Sequence, residues 1–356
     1  MNIMKKQRNE SIDILKGIAI FLVVVGHVIQ YSSQGAFNFF SNKLFSFIYT
    51  FHMPLFMLIS GYLFYHSFIK KDIKQTLQNK IQQLLYPIII FTILNYYISV
   101  IIEIMVDGSL LKFLNANWVS KLSNIWFLWS VLASTIVICL SHALTKNKKN
   151  AFVLSLILCP IVYLFPNGDN NLFMYGFFIT GFYFAQYKNL FPTKLLKLKY
   201  VFSLLFLIIL PFWENDFYIY LTGMFNFSSF NLFFKQITVD IIRYVYGIAG
   251  SVFMITMVNM IVSNKNKVVL KLLSTLKYIG QKSLQIYLIQ IVVIENLFNK
   301  FYCWLSAKLS YNILFVNKQL FNFVLVPIIS IIFVFAILSI IKFIEKKNYS
   351  KFIFGR

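Results

Sequence analysis

The stretch from Ser11 to Gln30, SIDILKGIAIFLVVVGHVIQ, decides the fold class. It is apolar except for Asp13, Lys16, His27 and a few small polar groups, and as a helix it rises roughly 30 Å, the thickness of a bilayer's hydrocarbon core. No small-x-small cleavage site follows it, so it reads as a retained helix rather than a disposable leader. Only 12% of the residues are charged against 59% hydrophobic, and mean hydropathy is +0.73. A water-facing chain carries roughly 25% charged residues, so this composition excludes a soluble protein of the same length.

Uninterrupted apolar runs give ten expected spans: 12–33, 44–65, 84–105, 125–143, 151–166, 172–187, 200–213, 237–262, 283–299 and 321–342. The expected fold is an all-α polytopic bundle. The net charge of +22 is a topology signal. Of the 33 basic residues, Lys16 and Arg243 lie inside spans, and seven (Lys43, Lys112, Lys121, Lys235, Lys300, Lys308 and Lys318) lie in segments away from the N-terminal side. The other 24 fall on the N-terminal side. Retained cytoplasmic loops gather Lys and Arg, so both termini are expected in the cytoplasm, facing anionic lipid. No loop interleaves bases with exposed aromatics, which argues against a nucleic-acid partner.

The longest polar connection is 66–83; the outer segments 106–124, 214–236 and 300–320 are aromatic-rich, suited to the headgroup layer or to stacking on sugar rings. Cys139, Cys159 and Cys303 have no paired spacing and imply neither a disulfide framework nor a metal site.

Chemistry must come from polar groups placed in hydrocarbon, where a charge costs about 2.5–3.5 kcal/mol. His27 follows Lys16 by eleven residues, three helical turns plus roughly 20°, and Asp13 lies within about 40° of the same line. All three project into one stripe, with His27 about 16 Å further across the membrane than Lys16. Asp13 and Lys16 also read as an i,i+3 pair at a helix end. An intramembrane imidazole is costly and able to move protons, which makes His27 the leading site residue. The second span, FHMPLFMLISGYLF, holds His52, Pro54, Ser60 and Gly61. His52 either joins His27 in one cavity or sits at the outer interface, and Ser60-Gly61 permits close helix approach. Trp126 opens the fourth span as an anchor or a substrate contact. Asp240 and Arg243 form an i,i+3 pair, structural or substrate-binding. In the ninth span Lys282, Ser283, Tyr287, Gln290 and Glu295 are polar, and Glu295 is expected to line a cavity.

The segments RNESIDILKGIAIFLVVVGH, FHMPLFMLISGYLF, LLYPIII, IWFL and IGQKSLQIYLIQ resemble, in order and over most of the chain, the integral-membrane acyltransferase 3 family, and within it the fucose 4-O-acetylase-like branch. The resemblance implies one transmembrane acyltransferase domain over 1–356 in a bacterial cytoplasmic (inner) membrane. It would move an acyl group, usually acetyl, from cytoplasmic acetyl-CoA to a hydroxyl of a cell-surface or lipid-linked glycan, without a metal. The family's first-helix pattern of a basic residue, ten others and a histidine falls on Lys16 and His27. Two departures stand out: the basic pair before the third helix is Lys80 and Gln83, and a late histidine is replaced by Gln290.

On this expectation Lys16 and Lys80 hold the CoA phosphates and Asp13 orients Lys16. His27, with or without His52, is general base or transient acyl acceptor. An oxyanion donor would come from Ser60, Tyr287 or Gln290, and acceptor contacts from Trp126, Arg243 and Glu295. A polar-lined helix bundle also describes an exporter or flippase of a polysaccharide or lipid-linked sugar, although no internal repeat of the transporter kind is visible.

Overall fold

The computed structural model describes residues 9–33, 37–107, 118–145, 147–192, 197–225, 228–263, 266–309 and 317–355. Lys5, Lys6, Arg8, Lys112, Lys146, Lys194, Lys265 and Arg356 of the charge reading lie outside these residues. The described residues are helical with no strand, and every expected span has a helical counterpart.

The α-helices of eight residues or more are α1 (Glu10–Ser32), α2 (Lys43–Phe68), α3 (Ile73–Asp107), α4 (Trp126–Leu144), α5 (Lys148–Ile157), α6 (Gly168–Tyr187), α7 (Leu198–Ile209), α8 (Phe230–Val262), α9 (Lys267–Gln281), α10 (Ser283–Gln290), α11 (Asn299–Leu309) and α12 (Val326–Lys346). Two π-helical stretches, Ile291–Phe298 and Phe321–Leu325, join α10 to α11 and lead into α12. Seven helices of the described residues are long and apolar enough to cross a membrane: α1, α2, α3, α4, α8, the α10–α11 run and the run ending in α12. The chain is a multi-pass membrane protein. The remaining expected spans are shorter or more polar. The one at 151–166 is broken, because Pro160 leads a 3-10 stretch, Cys159–Leu164, after α5. The one at 172–187 carries Asp169, Asn170 and Asn171 in its first turns.

Capping explains several starts. The Asn42 side chain accepts from the backbone N–H of Leu44 and Phe45 to open α2, and Asp72 accepts from Gln75 N at 2.6 Å to open α3. The α3 helix thus begins inside the segment read as a loop at 66–83. Pro54 interrupts α2 where Gly247 of α8 packs against its ring, a protein-buried site that tolerates a broken backbone ladder.

The segment before the ninth span is also a helix. Its lysines made it read as a polar connection, yet Leu273, Leu276 and Gly280 recur at helical spacing and face α1. Contact there is backbone to backbone: a Cβ on Gly17 would overlap the Leu276 carbonyl oxygen, and one on Gly280 would overlap that of Asp13. Gly61 of α2 and Gly181 of α6 make the same reciprocal approach. Glycine is the residue that allows it. A Lys277–Glu10 ion pair lies at one end of the α1 contact and a His27–Glu295 pair at the other. The order 277 to 295 against 10 to 27 makes α9–α10 run parallel to α1.

Candidate functional site

The α1 stripe expected from the sequence is the spine of two cavities. Lys16, Ile20 and Val23 line a cavity of about 160 Å³ together with Phe56, Ser60 and Phe64 of α2, Lys80 of α3, Phe127, Val131 and Thr135 of α4, and Ser283 and Tyr287 of α10. One turn further, His27, Gln30 and Tyr31 line a second cavity of about 320 Å³ with Tyr49, Asn124, Trp126, Asn167, Asn170, Tyr220 and Glu295. The spacing Lys16, Ile20, Val23, His27, Tyr31 is that of one helical face.

In the first cavity, Lys16 Nζ lies 3.9 Å from Asp13 Oδ1. Asp13 is buried, and its other oxygen accepts from Gln281 Nε2 of α9 at 3.5 Å. Lys80 Nζ stands 5.7 Å from the centre of the Phe64 ring. Two ammonium groups, the hydroxyls of Ser60, Thr135, Ser283 and Tyr287, and otherwise apolar walls give this cavity an anion-attracting rim and a largely hydrocarbon interior.

The second cavity is built of amides and aromatic rings around a pair of titratable groups. His27 Nδ1 lies 3.2 Å from Glu295 Oε1, with both side chains largely shielded (19% and 12% exposed). The distance is that of an ion pair, and the alignment falls short of a hydrogen bond, so Nδ1 has no partner of that geometry. The Tyr31 ring stands edge-on to the imidazole at 5.9 Å. Trp126 meets Tyr220 edge-on at 6.3 Å.

On the wall of the first cavity Phe127 and Tyr287 are edge to face at 5.5 Å, and Phe127, which meets Trp126 of the second cavity edge-on at 6.3 Å, has its N–H 3.4 Å from the Tyr287 hydroxyl oxygen. Gln290, one turn beyond Tyr287, is 0% exposed and has no hydrogen-bond partner for either amide atom.

His52 does not line the His27 cavity. Its Nδ1 lies 2.8 Å from the Ile48 carbonyl, and its ring packs 4.7 Å from Tyr49, which separates it from Gly26 of α1. It faces a cavity of about 30 Å³ shared with Tyr218, Tyr220 and Arg243. Arg243 is 1% exposed, and its N–H groups are fully engaged. Nε donates to Phe217 O at 3.1 Å, one terminal nitrogen to Gly223 O at 2.7 Å and Asp240 Oδ1 at 2.6 Å, and the other to Asp216 O at 2.9 Å and to the Thr222 hydroxyl. Arg243 therefore ties down the 216–223 segment that carries Tyr218 and Tyr220. Burial pushes the Tyr218 phenol above its ordinary pKa, so it stays protonated and donates to Ser46 Oγ at 2.8 Å.

An acyltransferase-domain family model matches residues 9–343, a range that holds the residues lining both cavities. The chain belongs to the acyltransferase 3 family. It is 32% identical over 183 residues to the nodulation protein NolL of Mesorhizobium japonicum, covering 50% of this chain and 48% of that protein. It is also 32% identical over 181 residues to the nodulation protein NolL of Sinorhizobium fredii, covering 50% and 49%. The matched region thus spans about half the length of these curated relatives. No solved structure matches the chain.

The sequence had singled out His27, Lys16, Lys80, Ser60, Trp126, Tyr287 and Glu295, which all face one of the two cavities. It had not joined Glu295 to His27, nor singled out Gln30, Tyr31, Asn167 and Asn170, and Tyr220 was read only as one of the aromatics of the 214–236 segment. Gln30 and Tyr31 follow His27 by three and four residues, a signal that was available.

Proposed function

We propose that this acyltransferase takes an acetyl group from cytoplasmic acetyl-CoA and places it on a hydroxyl of a cell-surface or lipid-linked glycan, working in the cytoplasmic membrane of a bacterium. The observation that carries the reading is the His27–Glu295 pair in an amide- and aromatic-lined cavity, one helical stripe away from a cavity rimmed by Lys16 and Lys80.

Lys16 and Lys80 bind the nucleotide phosphates as point charges, and Asp13 holds Lys16 in place. The pantetheine arm lies along Ile20 and Val23 in the apolar cavity, and the thioester meets the Phe127–Tyr287 partition. About 16 Å separates Lys16 from His27 along α1, so an extended arm bridges the distance once the partition yields. A sugar ring stacks on Trp126 and Tyr220 and hydrogen-bonds to Asn167, Asn170 and Gln30. His27 Nε2 takes the proton of the attacking hydroxyl as its oxygen bonds to the thioester carbon. Glu295 at Nδ1 fixes the ring and stabilises the imidazolium. Tyr287 or Gln290 donates to the oxyanion. The C–S bond then breaks, and the departing CoA thiolate recovers the proton from His27. Arg243 positions the aromatic wall and His52 lies behind it.

Lys16→Ala tests the donor half. Losing one charge-assisted contact of roughly 1.5–3 kcal/mol should raise the KM for acetyl-CoA by about tenfold or more, with kcat changed only a few-fold. Steady-state transfer by purified protein at varied acetyl-CoA reads this, and an unchanged KM removes Lys16 from the donor site.

A further inference from the structure

Glu295 belongs to the π-helical stretch Ile291–Phe298, and such turns are rare and concentrate at functional sites. The next residue, Asn296, is buried and reaches a different helix. Its Nδ2 donates to Asn95 Oδ1 at 2.7 Å, and Ser99 Oγ donates to its Oδ1 at 2.9 Å. Asn95 and Ser99 are four residues apart on α3 and share one of its faces; both are buried. The Asn296 amide also lies 3.5 Å from the carbonyl of Ile291, the residue that begins the widened turn. An amide without partners is costly in hydrocarbon, so Asn296 has one low-energy direction, toward α3. Two successive side chains of one helical turn therefore engage two helices: Asn296 engages α3, and Glu295 lies 3.2 Å from His27 on α1.

The geometry points to Asn296 as a positioning residue: clamped by Asn95 and Ser99, it fixes the rotation of the π-helical turn that sets the Glu295 carboxylate against His27. The inference rests on His27 and Glu295 being the reacting pair. Glu295 can face α1 only while the turn keeps its extra residue, and the Asn296 clamp is what opposes relaxation to an ordinary α-helix, which would rotate the carboxylate away.

A double-mutant cycle on the full-length protein in detergent tests this, with acetyl-CoA as donor and the envelope-glycan fraction of cells lacking the gene as acceptor. Asn296→Leu and Ser99→Ala are measured alone and combined with Glu295→Gln. Asn296→Leu should lower kcat about 10- to 100-fold, the scale of a misplacement near 1 Å, with the KM for acetyl-CoA within about twofold of wild type. Ser99→Ala should lower kcat a few-fold. In the Glu295→Gln background neither should lower kcat further, because the clamp acts through that carboxylate. Equal fractional losses in both backgrounds would mark a merely structural role and overturn the inference, as would a wild-type kcat for both variants. Should Asn296→Leu fail to fold, the Ser99→Ala cycle decides alone. A wild-type kcat for Glu295→Gln would instead remove the underlying reading of the pair.

Discussion

Replacing His27 with alanine should lower acetyl transfer by about 10²- to 10⁴-fold, the range a positioned general base contributes, while the protein still folds and still binds acetyl-CoA. His27 lines the second cavity, with Nδ1 3.2 Å from Glu295 Oε1 and its ring nearly perpendicular to that of Tyr31. No second histidine shares that cavity: His52 faces a separate space behind Tyr49, with Nδ1 at the Ile48 carbonyl. The loss should therefore fall on kcat and leave the donor KM near wild type, since Lys16 and Lys80 are untouched. His27→Gln, which keeps bulk and polarity but cannot cycle a proton, should be nearly as inactive. Transfer within a few-fold of wild type in a folded His27→Ala protein would end the assignment.

The largest stability loss should follow from Arg243→Met. The guanidinium neutralises Asp240 and holds the 216–223 segment through three backbone carbonyls and the Thr222 hydroxyl. Removing it leaves the Asp240 carboxylate without its cation in a buried setting, a change that costs about 3–5 kcal/mol where one partner of a buried pair is deleted. Thermal unfolding in detergent should shift down by several degrees, and limited proteolysis should open the 213–225 region first. Adding Asp240→Leu should recover part of the loss, because removing both charges costs less than stranding one. A wild-type melting temperature for Arg243→Met would show that the clamp carries no such weight. Acceptor KM should rise as well, since Tyr218 and Tyr220 depend on that segment for their place.

Much of this architecture could be read from residue spacing. The line through Lys16 and His27 follows from 3.6 residues per turn, and the cavities lie along it. The helical spacing of Leu273, Leu276 and Gly280 in α9 was legible, but Lys271 and Lys277 made the charged stretch read as a loop. The partnership of His27 and Glu295 joins positions 268 residues apart through a π-helical turn. Spacing arguments assume 100° per residue, and a widened turn breaks that count where Glu295 sits. Arg243 shows the same limit from another side: its i,i+3 relation to Asp240 was legible, whereas the carbonyls of Asp216, Phe217 and Gly223 that fill its remaining donors were not. Backbone acceptors carry no side-chain signature in a sequence.

On the proposed mechanism the two cavities divide the work between the two sides of the membrane. Phosphate-seeking cations line one, while rings and amides suited to a hydroxyl-rich ligand line the other, with the Phe127–Tyr287 partition between them. On that proposal the acyl group, and not the nucleotide, is what crosses. Membrane vesicles of opposite orientation test this most directly. Radiolabelled acetyl-CoA, which does not cross a bilayer, is supplied to one face at a time, and label is measured in glycan at the other face. Label should appear in glycan only when acetyl-CoA meets the face nearer Lys16 and Lys80, and it should vanish with His27→Ala. Transfer from acetyl-CoA supplied only to the face nearer His27 would contradict the account.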